Sequence, residues 1–328
     1  MWDLFQTDLK EWLKDYSGEK FHALISDPPY NLDSIKKRFG KKDSAPAKFG
    51  TDGVFTRSSR GFMGKEWDTD IAFDSAVWSL IYEKVLLPGA IGMAFSSTRT
   101  YHRMASAIEE AGFIIHPMIG WINSQGFPKA THVKGSKVFE EYRYGLQALK
   151  PSFEPICVFQ KPHEKNQLSG ILKYGTGAFN IEGSRIGFDE IPSNVLEEWS
   201  GFGQLERPDY VQEKHIGRWP ANIVITGDVN LWYDKFFYCV KPNRKEKDAG
   251  LEEKNPHPTV KPIELIKWLA TLILPPVEYA PRRAFVPYAG SGSEMIATQL
   301  AGWDYVLGIE IEEESCKIAV QRLKWWLR

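Results

Sequence analysis

The residues from Ala284 to Glu310 constrain the fold more than any other part of the chain. Ala284 to Val286 is a short apolar run. It is followed by the turn Pro287-Tyr288-Ala289-Gly290-Ser291-Gly292-Ser293, a helical stretch from Glu294 to Leu300, a second apolar run from Tyr305 to Ile309, and an acid, Glu310. Strand, glycine-rich turn, helix, strand and acid is the layout of an adenosine-cofactor site in a doubly wound sheet. Gly290 and Gly292 let the backbone approach a ligand closely, and an acid ending the next strand can accept both ribose hydroxyls. A lone Gly-x-Gly is more often a tight corner than a site. Of the three in this chain, beginning at Gly175, Gly201 and Gly290, only the last lies between a strand and a helix. The Gly290 turn is not continued by a Gly-x-x-Gly, and the chain has no Gly-Lys-Ser/Thr, which argues against nicotinamide and nucleoside triphosphate sites.

The rest of the chain keeps a compatible rhythm. Trp2, Phe5, Leu9 and Trp12 predict a short amphipathic helix within residues 1–18 that covers one sheet edge. Strands are expected at Phe21 to Ile25, Ala90 to Phe95, Phe113 to Ile122, Phe153 to Phe159 and within Arg218 to Thr226. Helices are expected from Ala76 to Leu86, stopped by Pro88-Gly89, from Thr100 to Ala111, ending at Gly112, and from Ile263 to Leu274, with Pro262 in its first turn. Such alternation indicates an open, mostly parallel α/β sheet. From about His163 to Lys214 the rhythm breaks into short glycine-punctuated segments, the pattern of an inserted lobe. At 328 residues, 43% of them hydrophobic, the chain suits one large domain or one domain with an insertion.

The run Phe21 to Ile25 ends in Asp27-Pro28-Pro29-Tyr30. Consecutive prolines stiffen such a loop and fix the direction of its carbonyls. A carboxylate and a proline carbonyl can together accept both hydrogens of one NH2 group, while Tyr30 stacks on the ring that bears it. An exocyclic base amine is a poor nucleophile because its lone pair is delocalised, and two fixed acceptors favour the pyramidal form that can attack. The matching electrophile is a sulfonium methyl group. The bland reading, a rigid turn after a strand, has about even weight when the motif stands alone.

Net charge is −1, so any nucleic-acid contact must come from local patches. One such patch is residues 31–65, where Lys36, Lys37 and Arg38 begin a run of nine basic residues against three acids. It reads as a segment that closes over DNA phosphates; the competing reading is a solvated insertion. Gly126, Phe127, Pro128 and Lys129 form a further loop within reach of substrate. Cys157, Cys239 and Cys316 are far apart, with no Cys-x-x-Cys, which points to a reduced cytoplasmic protein without a cysteine metal site. The acidic amino terminus is unlike a signal peptide, and no run approaches a membrane span.

Taken together the motifs resemble the amino-methylating DNA methyltransferases that use S-adenosylmethionine, in the permuted β-type order with the catalytic loop ahead of the cofactor loop. Besides DPPY the resemblance rests on GFMGKEWD at 61–68, LLPGAIGMAFSSTRTYHRM at 86–104, GWINSQGFPKA at 120–130 and LKPSFEPICVFQKP at 149–162. It continues in YGTGAFNIEGSRIG at 174–187, GRWPANIVI at 217–225, HPTVKPIEL at 257–265 and YAGSG at 288–292. Phage and bacterial modification enzymes are the nearest in kind.

The resemblance implies a Rossmann-like methyltransferase sheet, with its catalytic half in residues 1–162, a target-recognition lobe in 163–256 and a cofactor-binding half in 257–328. It implies that Asp27, Pro28, Pro29 and Tyr30 hold the amine of a flipped base. Ala289, Gly290, Ser291, Gly292 and Ser293 then line the methionine end of the cofactor, and Glu310 binds its ribose. His257, Thr259 and Lys261 flank its carboxylate and sulfonium, Lys261 by pairing with the carboxylate. Lys36, Lys37, Arg38 and Lys129 contact phosphates. One departure stands out: the family usually has Asp-Pro-Phe where this chain has Val286-Pro287-Tyr288, and Asp27 is expected to make the missing contact to the methionine amino group.

The expected reaction is methyl transfer to adenine N6 in double-stranded DNA, with no metal, in the cytoplasm, or in that of a bacterial host if the gene is carried by a phage. Asp rather than Ser before the two prolines favours adenine over cytosine N4. A catalytically weak DNA-binding protein on the same fold, and a methyltransferase for RNA or protein, are the other readings. Monomer and homodimer are both left open by the sequence.

Overall fold

The computed structural model describes residues 1–30, 70–123, 128–190, 216–226, 237–240, 245–255 and 260–328. The basic loop with Lys36, Lys37 and Arg38, the 61–68 motif, Gly126, Phe127, His257 and Thr259 lie outside the described residues.

The strands are β1 (Trp2–Gln6), β2 (Phe21–Ser26), β3 (Leu86–Phe95), β4 (Ile114–Ile115), β5 (Ile119–Asn123), β6 (Lys129–His132), β7 (Arg143–Gln147), β8 (Phe153–Gln160), β9 (Ile186–Glu190), β10 (Ile216–Arg218), β11 (Ile223–Thr226), β12 (Tyr238–Val240), β13 (Arg283–Pro287) and β14 (Tyr305–Glu310). The α-helices are α1 (Leu9–Asp15), α2 (Ser75–Leu80), α3 (Tyr101–Glu110), α4 (Gln167–Tyr174), α5 (Ile263–Leu272), α6 (Ser293–Leu300) and α7 (Glu313–Trp326). The main sheet runs β1-β14-β13-β2-β3-β8-β5-β11-β12, with β4 also paired to β8. Pairing to β8 is antiparallel throughout, and the remaining neighbours are parallel.

Period-two alternation explains the layering. Ala23 and Ile25 of β2, Met93 of β3, Val158 of β8 and Val286 of β13 face one core, with Ile266 and Leu269 of α5 and Ile296 of α6. Leu24 of β2, Phe159 of β8, Phe285 of β13 and Leu307 of β14 face the other, with Leu13 of α1, Trp78 of α2 and Ile108 of α3; Phe21 joins them across the register shift that separates it from Ala23. Fully burying an aliphatic or aromatic side chain of this kind contributes about 1.5–3 kcal/mol, so a sheet covered on both faces is the arrangement this sequence stabilises. The doubly wound, Rossmann-like class expected from the sequence is the class found.

Four expectations are corrected. Trp2–Gln6 is an edge strand, not the start of a helix. Trp2 and Leu4 also fit period two, and pairing with Val306 to Glu310 satisfies the backbone. The helix begins only after Asp8, whose carboxylate accepts hydrogen bonds from the Lys10 and Glu11 amides. The helix expected over 76–86 ends at Leu80 and gives way to a π-helical turn, and β3 starts at Leu86 and runs through Pro88-Gly89. The register shift between Phe21 and Ala23 marks a bulge that absorbs the proline. Phe113 to Ile122 is two strands separated at His116–Met118, where Pro117 cannot donate to a ladder. Pro262 is the N-cap residue of α5 rather than part of its first turn.

Two strands from the 163–256 segment, β11 and β12, extend the main sheet beside β5. β6 pairs with β7, and β9 with β10, outside it. Among the described residues no helix is long and apolar enough to cross a membrane.

Candidate active site

Parallel pairing brings the carboxyl ends of β2, β13 and β14 together, with β13 in the middle. The Asp27 loop therefore leaves the sheet beside the glycine turn, at the strand ends where open α/β sheets bind ligands. Ser26 Oγ, donating to the Pro287 carbonyl at 3.2 Å, ties the two turns together. The turn is sharply wound, with φ of 60° at Tyr288, 50° at Gly290 and 82° at Gly292. At Gly292 a Cβ would lie 3.0 Å from the Ala319 Cβ of α7, so close packing as well as φ requires glycine there.

Asp27, Pro28, Pro29 and Tyr30 sit as one unit with two residues from distant parts of the chain. Lys261 Nζ lies 2.7 Å from Asp27 Oδ2 and 3.6 Å from Glu154 Oε2, and it donates to the Tyr30 hydroxyl at 3.1 Å. That hydroxyl has Asp27 Oδ1 at 2.9 Å and Glu154 Oε2 at 3.1 Å, and its single proton serves one of them at a time. The Lys261 side chain is 5% exposed, and its ammonium lies 5.0 Å from the Phe95 ring centroid and 5.3 Å from that of Tyr30. Burial alone pulls a lysine pKa down; here Asp27, Glu154 and Glu294 outweigh it and hold Lys261 above its ordinary value. The Tyr30 phenol is pushed well up by burial and by the two carboxylates, so it stays protonated.

Glu310 ends β14 beside the glycine turn. Its Oε2 accepts from the Gly290 amide at 2.7 Å, and its Oε1 from the Ile311 and Glu312 amides at 2.9 and 2.8 Å. With four acceptor positions on a carboxylate, three amides leave one, on Oε2. As placed, Glu310 can accept one ribose hydroxyl without releasing an amide, not the two expected from the sequence. Burial raises its pKa, and the amide hydrogen bonds oppose that rise.

Ala289, Ser291 and Ser293 are buried. Both serine hydroxyls accept from Arg322 Nη1 of α7, at 3.0 and 2.9 Å, and the same nitrogen donates to the Ser291 carbonyl at 2.7 Å. The turn therefore presents chiefly its backbone. Lys129 opens β6.

Glu154, Glu294 and Arg322 were not singled out in the sequence. Glu154 had a faint signal, an acid before Pro155 at a strand start. Glu294 reads as an ordinary acid in the first turn of a helix, and Arg322 as one more cation on an amphipathic one. Because Arg322 presents a planar fork to the turn, Arg322→Lys is expected to lower the unfolding free energy by about 1.5–3 kcal/mol, measured by urea denaturation.

The described site has a surplus of acid. Asp27, Glu154 and Glu294 surround the single ammonium of Lys261, and Glu310 stands across the turn. A cofactor that carries a sulfonium and an ammonium against one carboxylate fits that balance. Its adenosine end fits a glycine turn followed by a strand-end acid.

Comparisons with known proteins agree. The chain is 23% identical over 346 residues to the type II methyltransferase M.HindIII of Haemophilus influenzae, covering 98% of this chain and 94% of that protein. Among solved structures it is similar in fold to the PvuII DNA methyltransferase, described as cytosine-N4-specific, with a TM-score of 0.52 at 12% identity over 98% of this chain and 86% of that one. It also matches the complex of M1.HpyAVI with S-adenosylmethionine, with a TM-score of 0.48 at 18% identity, over 98% and 99% of the two chains. Residues 21–321 match the DNA methylase family of N6 and N4 amino-methyltransferases, so the chain belongs to that family and is an S-adenosylmethionine-dependent DNA methyltransferase.

Proposed function

We propose that this enzyme methylates N6 of adenine in double-stranded DNA, on a base flipped out of the helix. The observation that carries the reading is the seat of Asp27-Pro28-Pro29-Tyr30 at the end of β2, next to the glycine turn, with Asp rather than Ser before the prolines. S-adenosylmethionine, when bound, supplies an electrophilic methyl group on sulfur and leaves as the thioether.

The chain's own residues do the rest. Asp27 and a proline carbonyl accept the two amine hydrogens and free the lone pair, and Tyr30 stacks on the adenine. Once the N–C bond has formed, the amine's surplus proton leaves through Asp27 to solvent. Both Asp27 oxygens are engaged before the base arrives, by Tyr30 and by Lys261. Each oxygen keeps a second acceptor position, so Asp27 can receive the amine while the Tyr30 hydroxyl turns to Glu154. With its ammonium on Asp27, Lys261 acts as a positioning residue for that carboxylate; pairing with the cofactor carboxylate would require it to leave. Holding amine and methyl in line is where most of the acceleration arises.

On the cofactor side, the backbone of Ala289, Gly290, Ser291, Gly292 and Ser293 holds the methionine end and Glu310 one ribose hydroxyl, with His257 and Thr259 nearby. Lys36, Lys37, Arg38 and Lys129 contact phosphates, and residues 163–256 read the target sequence. The β6–β7 hairpin, with Tyr142 and Tyr144 exposed beside Arg143, leaves from the end of β5 on the same sheet edge and adds to the DNA surface. A role in modification alongside a restriction enzyme is in keeping with the relative named a type II methyltransferase.

Nucleoside mass spectrometry on mixed-sequence DNA, with labelled cofactor, tests the base. Labelled N6-methyladenine is expected. Labelled N4-methylcytosine would keep the chemistry and replace adenine by cytosine, and no labelled base with DNA from several sources would favour a DNA-binding protein of low activity.

A further inference from the structure

Glu294 is used by none of the steps above, yet it lies among the groups that perform them. It occupies the first turn of α6, directly after the glycine turn, and is 5% exposed. Its electrostatic neighbours are Asp27, which repels it, and Lys261 and Arg322, which attract it. Neither cation is committed to it. Lys261 is held by Asp27 and the Tyr30 hydroxyl, and Arg322 by Ser291, Ser293 and the Glu246 carbonyl. Among the described residues no other side chain hydrogen-bonds the Glu294 carboxylate, which meets only its own backbone N–H.

A carboxylate buried with no donor beyond its own amide is costly, and the cost falls when a cation arrives. Glu294 and Val286 flank the same turn from its two ends. Val286 is apolar and fully buried in the core, so the strand-side end offers no carboxylate. Asp27, expected from the sequence to take over that contact, already carries Lys261 and Tyr30. On the helix side, the Glu294 carboxylate is an acceptor at this turn that no side-chain donor holds, whereas the free position on Glu310 is the one left for a ribose hydroxyl.

We propose that Glu294 receives the α-ammonium group of the cofactor's methionine moiety, making it a cofactor-binding residue. The assignment rests on the use of S-adenosylmethionine and is independent of which base is methylated.

Two ligands separate this role from a structural one. S-adenosylhomocysteine carries the ammonium and carboxylate, whereas 5′-methylthioadenosine keeps the adenosine and thioether and lacks both. By calorimetric titration of the full chain, Glu294→Gln is expected to weaken S-adenosylhomocysteine about 10- to 100-fold, in line with loss of a charge-assisted hydrogen bond. It should leave methylthioadenosine within about threefold, and Glu294→Asp should recover part of the loss. Equal weakening of both ligands would mean that Glu294 only shapes the turn, and would overturn the assignment. Unchanged or tighter S-adenosylhomocysteine binding would also overturn it, the latter because it would put Glu294 against the ligand carboxylate. Failure of the unmutated chain to bind either ligand would overturn cofactor use and the assignment together.

Discussion

Asp27→Ala is expected to reduce methyl transfer by about three orders of magnitude or more and, separately, to destabilise the free protein. The first effect follows from removing the principal acceptor for the amine, a group for which general-base and charge-stabilising contributions of about 10²–10⁴ in rate are usual. The second follows from Lys261. Its side chain is 5% exposed and pairs with Asp27 at 2.7 Å, whereas Glu154, at 3.6 Å and 30% exposed, is the weaker partner. Breaking a buried ion pair from one side costs about 3–5 kcal/mol, and the remaining contact to Glu154 puts the expected loss near the lower end. Adding Lys261→Met to Asp27→Ala should restore much of the stability and none of the activity, since the stranded charge is gone while the acceptor is still missing. Single-turnover methylation and urea unfolding of the three variants check both parts. A double variant no more stable than Asp27→Ala would mean that the pair does not carry the stability assigned to it.

The fold was legible because it is written in local periodicity. The block from Ala284 to Glu310 and the apolar runs at β2, β3 and β8 were found where the sequence put them, and so was the doubly wound class. The misplaced elements are those decided by tertiary pairing. Trp2 to Gln6 is compatible with either period, and only β14, more than three hundred residues away, selects the strand. Pro88-Gly89 reads as a stop unless a bulge in β3 accommodates it.

The site divides in the same way. Asp27, Tyr30, Gly290 and Glu310 belong to short motifs whose spacing carries their chemistry. Glu154, Glu294 and Arg322 act through contacts made across the fold, and nothing in their own neighbourhoods separates them from surface charges. Lys261 was found, but its partner was not: that its ammonium is held by Asp27 is visible only once β2 and the approach to α5 are side by side.

The stability of the cofactor-free protein should depend on Glu294 in a way that pH reveals. Burial, then repulsion from Asp27, pushes its carboxyl up to about 7, against the ordinary 4.5, while Lys261 and Arg322 pull it down. Between those values the native state binds a proton that the unfolded chain has released, so this group makes stability fall as pH rises from about 4.5 to 7, and the loss is complete above 7. At 1.36 kcal/mol per unit the loss comes to roughly 3 kcal/mol. Glu294→Gln keeps the shape and removes the charge. It should therefore match the unmutated protein near pH 4.5 and exceed it in Tm and unfolding free energy at pH 8. The comparison has to be the difference between the two proteins, because other groups titrate in the same window. His22, held down to about 4 by burial and by Arg283, contributes with the opposite slope and cancels in that difference. Saturating S-adenosylmethionine should then close the gap at pH 8, because a ligand stabilises in proportion to its affinity and only the chain with a carboxylate at 294 has the partner for the cofactor's ammonium. A gap unchanged by the cofactor would mean that the buried charge and the ligand do not meet.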